Sequence, residues 1–443
     1  MMRTKKEVTV MTGMRRRWLL VCGVAVLAIA LSGCHSSGSG SKGGGSSGKT
    51  VKIVWWNNAD RDPGRSFFKQ LADEYHAAHP NVVIDDLPLQ NEQFKTKIPV
   101  ALQSPNPPDL FQQWGGGQMA EQVQAGKLKD ITDQVQPELA SMGASAAGWS
   151  VNGRQYGLPY TLGIVGFWYN KALFAKAGIG KPPATWDELL ADVQKLKAAG
   201  IVPIALGAKD QWPDAFYWDY LAVRLCSQQT LQQSATTFNL ADPCFTKAGE
   251  MVTQLIDAQP FQPGWLATPA QQGAGSSAGL IGNGKAGMEL QGHWDPAVMN
   301  SLTPSGKGIG DQLGWFPFPA VGGGAGDPAA ALGGGDGFSC SYKAPPECVD
   351  FLKFIVSPEN QKRWAALNIG PPVVKGTESA VTDPNLKGLM DFRAKAPYVQ
   401  LYLDIAYGQT VGQALDNAIA AQFAGKMTAQ KVVSAIEEAG KNR

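Results

Sequence analysis

Histidine is scarce in this chain, with four residues in 443, and none stands at ligand spacing with the cysteines, which excludes the common zinc arrangements. His76 and His79 read instead as the solvated end of a helix before Pro80. No glycine-rich loop followed by Lys and then Ser or Thr occurs, so a P-loop for nucleotide phosphates is excluded as well. Acids are plentiful but form no paired motif of the kind a glycoside hydrolase needs, two carboxyls facing each other across a sugar. Neither sign of charge dominates, with 39 Lys and Arg against 37 Asp and Glu, and nothing favours nucleic acid. The strongest apolar run, from Trp18 to Ala30, is too short to span a bilayer comfortably as a mature helix. There is no internal repeat. No metal and no cofactor is expected.

What is present begins with an export signal. Lys5, Lys6 and the run Arg15, Arg16, Arg17 precede the apolar segment, and small residues follow it. The segment ends in Leu31, Ser32, Gly33, Cys34, which resembles the lipobox of bacterial lipoproteins. That resemblance implies cleavage before Cys34, a lipid on its sulfur, and a place on the extracellular face of the cytoplasmic membrane in a Gram-positive type of cell. Loss of residues 1–33, with six basic side chains and one acid, takes the formal charge from +2 to −3. Residues 35–49, HSSGSGSKGGGSSGK, cannot bury a core and read as a flexible tether.

The rest of the chain is long enough for two lobes and alternates strand-like and helical patterns, as an α/β fold does. VKIVWW at 51–56 reads as a buried strand, 64–78 as a helix with Phe67, Phe68, Leu71 and Tyr75 on one face, 81–87 as a strand, 94–102 as a helix and 109–112 as a strand running into Trp114 and three glycines. A second series starts near Gly157, where Thr185 and Glu188 form a capping box before Trp186, Leu189, Leu190, Val193 and Leu196. Strands are expected at 201–206, 313–318 and 333–341, a helix at 346–356, and mostly helix from 383, ending with one at 428–439. With Cys22 in the signal and Cys34 lipidated, Cys226, Cys244, Cys340 and Cys348 allow three disulfide connectivities. The pairing of Cys226 with Cys244 and Cys340 with Cys348 closes the shortest loops and is the expectation.

Several separated motifs carry a resemblance to a known family. They are Trp55, Trp56, Asn57 on the first strand; Leu158, Pro159, Tyr160, then Trp168, Tyr169, Asn170, Lys171; Gly284, Lys285, Ala286, Gly287, Met288 followed by Gly292, His293, Trp294; Gly334, Gly335, Asp336, Gly337; and Pro358, Glu359, Asn360, Gln361. In this order they resemble the family 1 extracellular solute-binding proteins, the sugar receptors of ATP-driven (ABC) importers. Gly287 departs from the pattern, where alanine is usual. The resemblance implies a two-lobe periplasmic-binding-protein-like α/β fold with a ligand cleft at the hinge and three chain crossings, near Tyr160, Phe316 and Pro372. It divides the chain into a signal (1–33), a tether (34–50), an N-terminal lobe (51–160 plus 319–372) and a C-terminal lobe (161–318 plus 373–443). It also implies a monomeric receptor rather than an enzyme, whose partners are an oligosaccharide, ABC permease subunits and, through the anchor, the membrane.

A sugar offers hydroxyls at its rim and C–H patches on its faces, so a sugar site needs flat aromatic surfaces together with amides or carboxylates that leave no buried group unpaired. Candidates fall at loop positions after strands, where α/β clefts are built: Trp56 with Asn57 and Asn58, then Gln90, then Trp114, Gly115 and Gln118. The second lobe offers Tyr160, Trp218 in the run AFYWDY, and Trp294 beside Asp295; Asp336, Gln272 and Asp404 complete the hydroxyl contacts. Each has a plainer reading: core packing for the tryptophans, turn chemistry for Asn57 and Asp336, a helix cap for Asp295. Of Trp55 and Trp56, alternation points one inward and the other toward the cleft. The aromatics and neutral amides suit an uncharged sugar of two or three rings, with xylobiose-like xylo-oligosaccharides first and cellobiose, chitobiose or α-glucosides behind.

Overall fold

The computed structural model describes residues 50–443. The predicted signal, the lipid site Cys34 and the tether up to residue 49 lie outside the described residues.

Strands are β1 (Val51–Asn57), β2 (Val82–Pro88), β3 (Leu110–Gln113), β4 (Ser150–Val151), β5 (Arg154–Gln155), β6 (Leu158–Ile164), β7 (Gly166–Asn170), β8 (Val202–Ile204), β9 (Ala286–Gln291), β10 (Leu313–Phe316), β11 (Ala331–Cys340) and β12 (Val399–Leu401). β4 and β5 form a small hairpin; the others build two sheets, ordered β12-β11-β3-β1-β2 with β6 also on β11, and β10-β7-β9-β8. β1 runs parallel to both β2 and β3, so each step between them needs a crossover, which the helices Gly64–Ala78 and Asn91–Ala101 supply. In β1 the period of two sends Ile53, Trp55 and Asn57 inward. The helix Gly64–Ala78 buries Phe67, Phe68, Leu71 and Tyr75, the predicted stripe, against Trp55, Phe338 and Phe351. The Thr185 capping box forms and starts the helix Trp186–Ala198; Leu190, expected on its stripe, is only half-buried.

The lobes meet at a hinge that lies further along the chain than the motifs suggest. β6 stays paired with β11 as far as Ile164 opposite Gly333, and β7 begins the second sheet at Gly166, so the first crossing is at Val165, whose N–H donates to Leu332 O. The expected boundary at Tyr160 therefore falls inside a strand of the first sheet. The second crossing follows β10, but Phe318 still packs in the second core. After Pro372 the chain touches both lobes: Val373 and Val374 pack in the first core and β12 pairs with β11 in the first sheet, while Leu389 and Phe392 of the helix Pro384–Lys395 between them pack beside Trp315 of the second. Ladder pairing keeps β12 in the first sheet as far as Leu401, beyond the expected crossing at Pro372. From Leu403 the helices pack onto the second core through Val411, Leu415, Ile419, Val432 and Ile436.

Arg224 secures the connection between β10 and β11. Its buried guanidinium donates to the carbonyls of Phe318, Pro319, Asp327 and Ala330 and lies over the Tyr220 and Phe318 rings at 5.2 and 5.8 Å. The planar fork carries five donors, enough for all four carbonyls, where a lysine ammonium has three. Cys226 is bonded to Cys244 and Cys340 to Cys348, closing sequence separations of 18 and 8 residues. In the chain-entropy view each bridge stabilises by about 2–4 kcal/mol.

Candidate ligand-binding cleft

A cleft with about 1130 Å³ of empty space, its open mouth included, lies where the two lobes face each other. The first lobe contributes the ends of its strands and the loops after them. β1 leads into Asn58, Asp60 and Arg61; the helix after β2 carries Asn91 and Lys95; β3 ends at Trp114; β6 and β11 supply Tyr160, Thr161 and Asp336. The second lobe contributes Trp212 and Phe216 from the helix Trp212–Leu225, then Gln271, then His293 and Trp294 after β9, and the chain re-entering that lobe adds Tyr402 and Asp404.

The first-lobe side is a polar surface already bonded to itself. Asp336 sits where the β11–β6 register shifts, and its Oδ1 accepts from Gln112 Nε2 at 2.7 Å and Trp114 Nε1 at 2.8 Å. One carboxylate oxygen thereby fixes the edge of the Trp114 ring, which meets Phe94 edge-on with centroids 5.6 Å apart. Burial lifts the Asp336 pKa to about 6, against the lowering by the Trp114 hydrogen bond. Asn58 donates to Asn91 Oδ1 at 3.3 Å, Asn91 donates to Glu92 Oε1 at 2.8 Å, and Trp212 Nε1 reaches the same oxygen from the other lobe at 3.0 Å. Arg61 grips Asp60 and donates from Nη1 to Gln271 O at 2.9 Å, a second bond between lobes.

The second-lobe side is aromatic. Trp212 packs on Phe216 at 5.4 Å and Trp294 at 6.3 Å, and Tyr402 joins Phe216 at 5.4 Å and Trp294 at 6.5 Å. Gly292 makes this possible: a Cβ there would fall 2.1 Å from the Trp294 ring. Trp294 Nε1 and Tyr402 Oη are buried with no hydrogen-bond partner among the described residues. Beneath them Thr161 donates its hydroxyl proton to Pro371 O at 2.8 Å, so its contact of 3.4 Å with His293 Nε2 requires the ring to donate from that nitrogen. Burial, aided by Arg393, holds the His293 pKa down to about 3, and the ring is neutral.

Of the residues singled out from sequence, Asn58, Trp114, Tyr160, Trp294, Asp336 and Asp404 line the cleft. Tyr160 forms its floor, stacked on Phe338 at 5.0 Å. The others are elsewhere for identifiable reasons. Trp56 packs with the Phe94 and Phe111 cluster, so neither tryptophan of β1 looks into the cleft. Asn57 is 1% exposed and serves the turn, donating to Asp86 Oδ1 at 2.7 Å and accepting from Ala59 N at 3.1 Å. Gln90 caps the following helix by accepting from Gln93 N. Gly115 takes φ 75°, and a Cβ would lie 2.3 Å from Gly148 O; its role is backbone shape. Trp218 is wholly buried against Phe245, centroids 5.9 Å apart. Gln272 is exposed while its neighbour Gln271 lines the cleft, and Gln118 lines a separate cavity. Asp295 starts the helix Asp295–Ser301 without accepting a capping bond; it is buried beside Glu289, and burial lifts its pKa to about 8.

Sequence reasoning missed Arg61, Lys95, Trp212, Phe216, His293 and Tyr402 as cleft residues. Trp212 and Phe216 had a legible signal, an i, i+4 aromatic pair on either side of Pro213; Lys95 had none. Among the described residues no cluster of three or more His, Cys, Asp or Glu is placed to hold a metal ion, and no helix is long and apolar enough to cross a membrane.

The pattern of bacterial extracellular solute-binding proteins matches residues 58–362. The chain belongs to that family. It is 24% identical over 410 residues to an uncharacterized ABC transporter extracellular-binding protein of Pyrococcus horikoshii, covering 89% of this chain and 88% of that one. It is 25% identical over 399 residues to the diacetylchitobiose binding protein of Streptomyces coelicolor, with 87% of each covered. A structure solved in a study of xylan utilization by Caldanaerobius polysaccharolyticus superposes with a TM-score of 0.81 at 26% identity, over 88% of this chain and 99% of that one. The two-lobe fold and the binding-protein class follow, and the chain is a receptor, not an enzyme.

Proposed function

We propose that this solute-binding protein captures a neutral di- or trisaccharide for an ATP-driven importer, with xylobiose or another short xylo-oligosaccharide as first ligand. In this reading it is a monomer held by a lipid on Cys34 at the outer face of the cytoplasmic membrane. The division into lobes is taken at Val165, after Phe318, and at Tyr402. The observation that carries the reading is the contrast between the walls: an aromatic surface for sugar faces opposite fixed carboxylates and amides for hydroxyls. The diacetylchitobiose-binding and xylan-study proteins, alike over nearly their whole lengths, support the carbohydrate class.

Sugar settles on one lobe, the other closes over it, and the closed form is what the permease engages. Arg61 to Gln271 and Trp212 to Glu92 are the bonds that closure makes and opening breaks. A thermal-shift screen of residues 35–443 against xylobiose, cellobiose, chitobiose and maltose, with chromatography of the recovered sugar, tests the reading. A clear upward shift with intact disaccharide is expected. Release of monosaccharide, or no shift with any of the four, contradicts it.

A further inference from the structure

Beyond the cleft lies a second cavity between the lobes, with about 1410 Å³ of empty space, its mouth included. Its lining is rich in amides, with Gln112, Gln113, Gln118, Gln122, Gln409 and Gln413 drawn from both lobes. The two cavities share four lining residues: Lys95, Trp114, Trp212 and Asp404. Lys95 is central among them. Its Nζ stands 5.8 Å from the Trp114 ring centroid and 5.5 Å from that of Trp212, one ring from each lobe.

Resting on the sugar reading above, we propose that Lys95 is a length gate: its side chain partitions the interlobe groove, confining short oligosaccharides to the aromatic cleft and keeping further rings out of the amide-lined chamber. Two features make it a movable partition. The stem is a flexible four-carbon chain, and the ammonium makes no ion pair among the described residues. It is held by two ring faces and by the field of Asp404, Glu92, Asp416 and Asp210. Burial works against the charge, but those four carboxylates outweigh it and hold its pKa above the usual value.

The chamber's own chemistry defines what an open gate admits. Glu92, Asp210, Asp404 and Asp416 outnumber Lys95 and Lys209 around it, which disfavours uronic acids and other anionic sugars. Glutamine amides offer both a donor and an acceptor, which suits uncharged hydroxyls. The occupant is thus the continuation of a neutral oligosaccharide whose first rings lie in the cleft.

The test is calorimetric titration of the wild type and Lys95→Ala with the two-ring and four-ring members of the xylo-, chito- and malto-series. In the series the wild type binds, the two-ring sugar is expected to bind at least tenfold tighter than the four-ring one. Lys95→Ala should bring the four-ring sugar to within threefold of the two-ring sugar, or ahead of it, with the circular dichroism spectrum unchanged. Should Lys95→Ala fail to fold, Lys95→Ser reads the same ratio. An unchanged ratio in a folded variant, equal wild-type affinity for both lengths, or loss of binding at every length overturns the gate while leaving the sugar reading standing. A wild type that binds none of these sugars overturns the sugar reading, and the gate with it.

Discussion

The two walls of the cleft solve the same recognition problem in opposite ways. The first-lobe wall is polar and pre-bonded: Asp336 is fixed by Gln112 and Trp114, and Asn58, Asn91 and Glu92 form a chain. The second-lobe wall is four packed rings whose buried donors on Trp294 and Tyr402 have no partner among the described residues. A polar group already satisfied costs little to keep ready and is specific in direction, whereas aromatic faces gain by losing water. In the proposed reading, orientation is set by the first lobe and most of the contact area by the second.

The sharpest way to break this comparison is within one helix. Trp212 and Phe216 lie on the cleft face of Trp212–Leu225 and Trp218 on the opposite face, against Phe245. Trp218→Ala should destabilise the fold by about 3–5 kcal/mol and leave the affinity of the folded fraction unchanged, measured by urea unfolding and calorimetry side by side. A specific loss of affinity would put Trp218 back in the site.

Trp294→Ala should weaken disaccharide binding by about a hundredfold, close to 3 kcal/mol, with a smaller loss of stability because the ring is only half-buried. Affinity within threefold of wild type would remove the aromatic wall from the account.

The smallest effect separates the polar wall by pH. The unfolded carboxyl titrates near 3.9, but burial lifts folded Asp336 to about 6. Between those values the native chain binds the extra proton, so its contribution is full below the lower value and is lost as pH rises through the upper one. Over pH 4 to 6.5 the wild type should lose stability relative to Asp336→Asn, whose amide oxygen still accepts from Gln112 and Trp114. The two-unit separation corresponds to a difference of at most about 3 kcal/mol. Parallel stability curves for the two proteins would show that this carboxyl is not held protonated by its surroundings.

Local patterning made elements of both lobes legible. The helix Gly64–Ala78 has the limits its stripe predicts, and the Thr185 capping box is present. Those features depend on residues three or four apart, which a sequence displays directly. The hinge did not follow from such patterns: Tyr160 and Pro372 look like breaks, but β6 and β12 are held by long-range pairing with β11. The cleft was half legible for the same reason. Asn58 and Trp114 follow the ends of strands, where α/β sites form, and Asp336 sits at the register shift within β11, whereas the aromatics of the helix Trp212–Leu225 look alike until the packing face is known. Lys95 acquires its meaning only from two rings contributed by different lobes.

The most direct test of the central claim is calorimetric titration of residues 35–443 with xylobiose and chitobiose, followed by chromatography of the sugar recovered from the complex. The account predicts one site, a dissociation constant in the micromolar range or tighter for at least one neutral disaccharide, and intact sugar afterwards. Heat changes no larger than dilution for both, or sugar recovered as single rings, would contradict it.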